Sequence, residues 1–248
     1  MKESHARPFA SDSHGKTAGD LPMKIISINV GLPRIVRWKG LEVSTGIFKE
    51  PIPGPVMLRR LDLDGDRQAD LEVHGGPAKA VYAYASEHYP LWRKELGEPD
   101  LSWANFGENL TTEGLLEADA CIGDRFRIAD ALVMVTQPRF PCYKLGIRFG
   151  RGDILEKFLN SGRSGIYFAV LKEGLVNTGD AIERVYSDPA GISIADINLA
   201  YTKTGDYVPL MRRAAQHETL PNGIKGHFLR QVALLDENPA IDRSATDA

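Results

Sequence analysis

The sequence predicts a mainly β protein with a few helices, followed by a small C-terminal three-helix module. Three observations carry this reading. Short alternating or β-branched runs recur from Met23 to about Tyr186, separated by Gly, Pro, Asn and Asp. The first clear helical spacing of apolar residues, over 86–96, comes only after several such runs. Beyond Ser187-Asp188-Pro189-Ala190-Gly191 the pattern switches to the helical period.

Taken in order, residues 24–30 form a strand ended by Gly31, and 34–38 and 41–48 form two more, joined at Lys39-Gly40. Pro51-Ile52-Pro53-Gly54-Pro55 reads as a loop, and 56–63 resumes the alternation before Asp64-Gly65-Asp66, so the first third reads as a β-meander. A strand leaves Ala80. Ser86 caps the helix over 86–96, in which Tyr89, Trp92 and Leu96 share a face, and Gly97 stops it. Asn105 to Thr112 is a polar loop hinged at Gly107, either packed by Phe106 and Leu110 or contacting a ligand. Strands flank Gly123-Asp124, with Cys121 assigned to the core, and 131–136 is a further strand. Helices over 144–149 and 153–159 are broken by Gly150-Arg151-Gly152, and a strand over 166–171 precedes a last hairpin ending near Tyr186. Three short helices, 193–201, 207–216 and 224–235, are punctuated at Thr204-Gly205-Asp206 and Pro221-Asn222-Gly223; helices so short need tertiary packing to persist. The domain reading is an N-terminal extension over 1–22, a β domain over 23–187 and the helical module over 188–240.

Bulk composition narrows the function classes. With 248 residues, 43% hydrophobic and 25% charged, the chain has the makeup of a globular protein with one large domain, or a large one with a small partner. A net charge of -3 gives no general affinity for nucleic acid or for an anionic membrane, so any anion must be held by a local cluster. No stretch approaches the roughly 20 apolar residues that span a bilayer, and residues 1–22 lack the apolar centre of a signal peptide. The expected location is cytoplasmic, with both cysteines reduced. Neither cysteine belongs to a C-x-x-C pair and no histidines stand at zinc-ligand spacing.

The stretch richest in chemistry is Val133-Met134-Val135-Thr136-Gln137-Pro138-Arg139-Phe140-Pro141-Cys142-Tyr143-Lys144-Leu145. Residues before proline are pushed toward extended geometry, so Gln137 and Phe140 should be extended, presenting Cys142 rigidly at a strand exit. Arg139 and Lys144 beside it favour the thiolate, the form that attacks or ligates. A small buried cysteine at a loop is the competing reading. Upstream, His74-Gly75-Gly76-Pro77-Ala78-Lys79 has the composition of an anion cradle, with two glycines exposing amides and one lysine adding charge. A plain Gly-Gly turn capped by His74 accounts for the same residues. Arg163, between Gly162 and Ser164-Gly165, either reaches an anion or is a solvated turn arginine.

These motifs together resemble a known family. Residues 70–84, Phe106-Gly107-Glu108-Asn109-Leu110, Ile122-Gly123-Asp124-Arg125-Phe126 and Gln137 to Leu145 resemble the MOSC domain proteins, in particular the YiiM-like branch, over about Met23 to Leu235. The resemblance implies a β-barrel-like core and a molybdenum cofactor (molybdopterin), in which a pterin dithiolene holds the metal and Cys142 supplies a further sulfur. On the same basis His74, Gly75, Gly76 and Lys79 form a pterin or phosphate cradle, Asn109 bonds the pterin or a substrate oxygen, and Arg139, Lys144 and Arg163 meet anionic groups.

The implied activity is reduction of N-hydroxylated substrates such as hydroxylamino-purines, with Cys142 as catalytic metal ligand. Electrons would come from a separate flavin or iron–sulfur protein, because this chain carries no dinucleotide fingerprint and too few cysteines for a cluster. A carrier of sulfur or of molybdenum cofactor, using Cys142 without turnover, is the rival. A module acting only through its C-terminal helices is a third reading, and a homodimer is expected because short terminal helices with apolar faces often bury them against a symmetric copy.

Overall fold

The computed structural model describes residues 22–69, 75–203 and 207–237. Residues 1–21 of the predicted extension, residues 70–74 with the candidate His74, the punctuation at 204–206 and everything after residue 237 lie outside them.

Strand formation follows the sequence pattern closely. The strands are β1 (Lys24–Val30), β2 (Arg34–Trp38), β3 (Leu41–Thr45), β4 (Glu50–Ile52), β5 (Val56–Leu58), β6 (Val81–Ala85), β7 (Leu110–Glu113), β8 (Arg125–Ile128), β9 (Ala131–Pro138), β10 (Ile166–Lys172), β11 (Gly174–Val176) and β12 (Ile182–Tyr186). The helices are α1 (His88–Leu96), α2 (Tyr143–Phe149), α3 (Ile154–Ser161), α4 (Ile194–Thr202), α5 (Val208–Gln216) and α6 (Asn222–Glu237). Lys39 and Gly40 both take positive φ, 49° and 84°, as a two-residue hairpin between β2 and β3 requires. Gly97 ends α1 in the left-handed region at φ 70°.

Strand pairing departs from the expected meander. Eight strands form one mixed sheet in the order β12-β8-β9-β10-β6-β7-β1-β4, in which only β6 and β7 run parallel. β2 and β3 stand apart as their own ribbon, and β5 pairs with β11, far along the chain. Alternation along a strand reports which face is buried but not which strand lies alongside. The proline-rich loop at 51–55 begins as β4, where Pro51 is tolerated because β4 is an edge strand.

The barrel-like expectation is not confirmed as a closed barrel. Among the described residues no continuous ladder closes the sheet, although its two sides touch. Ile25 N–H donates to Asp180 O at 3.0 Å, Ile182 N–H donates to Met23 O at 2.8 Å, and a single bridge joins Lys24 to Ala181. β4 remains an edge beyond that seam.

Strand β6 separates two cores. All five of its residues are buried, with Val81 and Ala83 facing the main core and Tyr82 and Tyr84 facing an aromatic one with Tyr89, Trp92, Phe106 and Phe158. A strand covered on both faces reads as a continuous apolar run, as this one does. The C-terminal helices do not keep a core to themselves: Ile194, Ile197, Ala200, Met211, Ala214 and Phe228 belong to the same buried cluster as Ile28, Phe126 and Phe168 of the sheet.

Helix α4 starts at a full capping box. Asp196 N–H donates to Ser193 Oγ at 3.0 Å and Ser193 N–H donates to Asp196 Oδ2 at 2.9 Å. Replacing Ser193 with Ala should lower the unfolding free energy by about 1 kcal/mol. Urea unfolding followed by circular dichroism measures this, and an unchanged midpoint would contradict it.

Candidate active site

The run from β9 into α2 places the cysteine. Cys142 is extended, with φ -124° and ψ 169°, and occupies the N-cap of α2, but its side chain makes no capping bond. Its carbonyl accepts from Leu145 N–H at 2.9 Å. The backbone thus starts the helix, and Cys142 lines a cleft of about 170 Å³. Lys79, Arg139 and Lys144 line that cleft with it. Lys79 ends the 3-10 turn Pro77–Lys79, Arg139 directly follows β9, and Lys144 sits in the first turn of α2.

The three cations are held differently. Arg139 is 8% exposed, and its Nη1 donates to the carbonyl of Phe106 while its guanidinium lies 4.9 Å from the Tyr82 ring centre and 5.6 Å from that of Phe158. Lys144, also 8% exposed, makes no ion pair among the described residues. Burial pulls the Lys79 ammonium below the ordinary lysine range, opposed by negative charge on Cys142. That charge also acts on Arg139, against the penalty of its burial and together with Tyr82 and Tyr167. By reciprocity both cations stabilise an anionic group at that sulfur.

A second polar node forms the opposite wall. Lys49 and Asp66 make a buried ion pair, and Asp66 also accepts from Gly31 N–H at 2.9 Å and from Asn109 Nδ2 at 2.8 Å. Burial lowers the Lys49 pKa, with Asp66 the main opposing influence and Glu108 a lesser one. Asn109 lines the cleft, yet its amide is committed: Oδ1 accepts from Tyr82 N–H at 3.1 Å, and Nδ2 is spent on Asp66. It shapes the wall more readily than it binds a ligand.

Glu108, fully buried, accepts from Tyr89 Oη, from Ala104 N–H at 2.8 Å, from Phe106 N–H at 3.1 Å and from Thr111 Oγ1 at 3.1 Å. Burial pushes its pKa up against those bonds. This one carboxyl ties the 104–111 loop together, and the loop in turn offers the Phe106 carbonyl to Arg139.

Other sequence-selected residues lie elsewhere. Arg163 does not line the cleft; it pairs with Glu95 at 2.6 Å and lies 4.1 Å from the Trp92 ring centre. Gly75 and Gly76 precede the turn that carries Lys79 without lining the cleft, and His74 is outside the described residues. Cys121 is half-buried at a bridge to Ser193, not in the core, and is not disulfide-bonded.

Sequence reasoning missed Lys49, Asp66, Gln68, Tyr82 and Tyr167, all of which line the cleft. Two atoms there are buried without a partner among the described residues: Gln137 Nε2, a donor, and Gln68 Oε1, an acceptor. Gln137 stands inside the cysteine motif, which was the one available signal. Lys49 and Asp66 had none, since their pairing joins separate loops.

The comparisons bear on this geometry. Residues 70–183 match the model of the MOSC domain. The chain is 41% identical over 207 residues to a Bacillus subtilis protein named YflK, covering 84% of this chain and 93% of that one. The chain belongs to the MOSC domain family. It is similar to the crystal structure of YiiM from Geobacillus stearothermophilus, with a TM-score of 0.71, 34% identity, and coverage of 85% of this chain and 100% of that one. A Gibberella moniliformis protein named "Reductase" is 39% identical over 186 residues, 72% of this chain but only 33% of that protein. The MOSC match contains Lys79, Asn109, Arg139, Cys142 and Lys144, whereas Lys49 and Asp66 precede it.

Replacing Asp66 with Ala should cost about 3–5 kcal/mol, because it strands the Lys49 ammonium in a buried place. The double replacement Lys49→Met with Asp66→Asn should recover most of that loss, since neither charge remains. Chemical denaturation of the three proteins checks both; equal loss in the single and double variants would show that the ion pair is not the cause.

Proposed function

We propose that the cleft binds a molybdenum pterin cofactor with Cys142 as the protein's sulfur ligand, and that this MOSC protein reduces N-hydroxylated substrates of the hydroxylamino-purine type. The observation that carries the reading is the convergence of one thiol with Lys79, Arg139 and Lys144 in a single small cleft. Among the described residues no three His, Cys, Asp or Glu side chains are placed to share a metal. A metal at Cys142 would therefore arrive with most of its ligands already attached, as a dithiolene-bound metal does.

The donor set fits such a group. Three cations match an anionic metal centre and phosphate, and Gln68 Oε1 and Gln137 Nε2, unpartnered among the described residues, match a heterocycle edge that presents both a donor and an acceptor. Tyr82 and Tyr167, with ring centres 5.0 Å apart and planes tilted by 37°, give the wall an aromatic lining. A homologue named "Reductase" supports the reaction class.

The bound cofactor would supply a two-electron redox centre able to take the N–O oxygen. Overall, the hydroxylamine takes up two electrons and two protons and leaves as amine and water. Lys79 lines the cleft with an ammonium that burial pulls below the ordinary lysine range, and it is the group here suited to protonating the departing oxygen. The electrons come from a separate flavin or iron–sulfur protein.

The test uses the full chain made in a host that synthesises molybdenum cofactor, assayed with a chemical reductant and an N-hydroxylated base. The wild type should hold molybdenum and turn over, whereas Cys142→Ser should lose turnover by more than about 100-fold. Molybdenum retained without reduction of any N-hydroxylated base, or a sulfur adduct on Cys142 in native mass spectrometry, would favour the carrier instead.

A further inference from the structure

The wall of the cleft is connected to the C-terminal helices by stacked rings. Phe140, two residues before Cys142, lines the cleft and stacks on Tyr201 of α4 with ring centres 3.8 Å apart and planes 24° apart. Tyr201 stacks in turn on His227 of α6 at 4.3 Å and 25°. His227 Nε2 is buried without a hydrogen-bond partner among the described residues.

The rings are not needed to fasten the helices. Ile197, Ala200, Met211 and Phe228 are each 0% exposed and already anchor α4, α5 and α6 in the main core, whereas Phe140, Tyr201 and His227 are only half-buried. Within the cysteine loop, Leu145 N–H donates to the Cys142 carbonyl at 2.9 Å, a bond internal to the start of α2. What the stack adds is a lateral hold on the loop.

We propose that the C-terminal helices serve as a positioning element for Cys142, acting through the stack His227–Tyr201–Phe140 with Tyr201 as its middle ring. Tyr201 does not line the cleft, so it is a positioning residue and not a catalytic one. The role requires no particular ligand at the thiol and stands apart from the identity of the cofactor.

Hydrogen exchange on the full chain as purified tests this. Tyr201→Ala should speed exchange of the amides between Arg139 and Leu145 by about two- to tenfold, the range expected for one lost aromatic contact. The β8–β12 pair should be unaffected. Alkylation is measured on full chain from a host that makes no molybdenum cofactor, with both thiols followed in the same sample. Cys142 should react faster by a similar factor while Cys121, the internal standard, is unchanged. Tyr201→Phe keeps the ring and should behave as wild type.

Should Tyr201→Ala fail to fold, His227→Ala removes the outer ring and should give a smaller effect in the same direction. Unchanged exchange at the cysteine loop, equal acceleration across β8 and β12, or a Tyr201→Phe variant as loose as Tyr201→Ala would each overturn the proposal.

Discussion

The structure is arranged around one costly feature, a guanidinium held almost out of water with no carboxylate beside it. Arg139 is 8% exposed and makes no ion pair among the described residues. Its charge is met by the Phe106 carbonyl and by the faces of Tyr82 and Phe158. Carbonyl and ring dipoles offset part of the desolvation penalty without neutralising the cation. The remaining positive potential is directed at the cleft, where Lys79 and Lys144 add to it. An anion placed there would be stabilised by charges whose burial cost the fold has already met.

Much of the rest can be read as support for that arrangement. Glu108 gathers the 104–111 loop by accepting four hydrogen bonds, and so fixes the carbonyl that Arg139 requires. The doubly buried β6 puts Tyr82 under the guanidinium while Val81 and Ala83 grip the main core on the other face. At Gly165, with φ 68°, a Cβ would stand 2.5 Å from Ala83 O, so only glycine lets the chain pass close enough for Ser164 O to accept from Tyr82 Oη at 2.7 Å.

What was legible in the sequence was local. The Lys39-Gly40 hairpin and the stop at Gly97 depend on a few adjacent residues, and each forms as its residues dictate, whereas the helix expected to be capped by Ser86 starts at His88 with no side-chain cap. The extended backbone at Cys142 between Pro141 and α2 also forms as its residues dictate. Strand partners were not legible: β5 finds β11 more than a hundred residues on, through apolar faces that many strands share. The site divides in the same way. Lys79, Arg139, Cys142 and Lys144 stand in recognisable motifs, whereas Lys49 and Asp66 meet only because two loops fold together, and Arg163 is drawn to Glu95, 68 residues away.

The central claim is that a metal carried on an organic ligand belongs at the Cys142 sulfur, under the field of these three cations. Anomalous X-ray scattering at the molybdenum edge, from crystals of the cofactor-loaded protein, addresses it most directly. The account predicts one strong molybdenum peak within bonding distance of Cys142 Sγ, inside the cleft lined by Lys79, Arg139 and Lys144. A peak located elsewhere on the chain, or loaded protein whose Cys142 Sγ has no metal beside it, would contradict it.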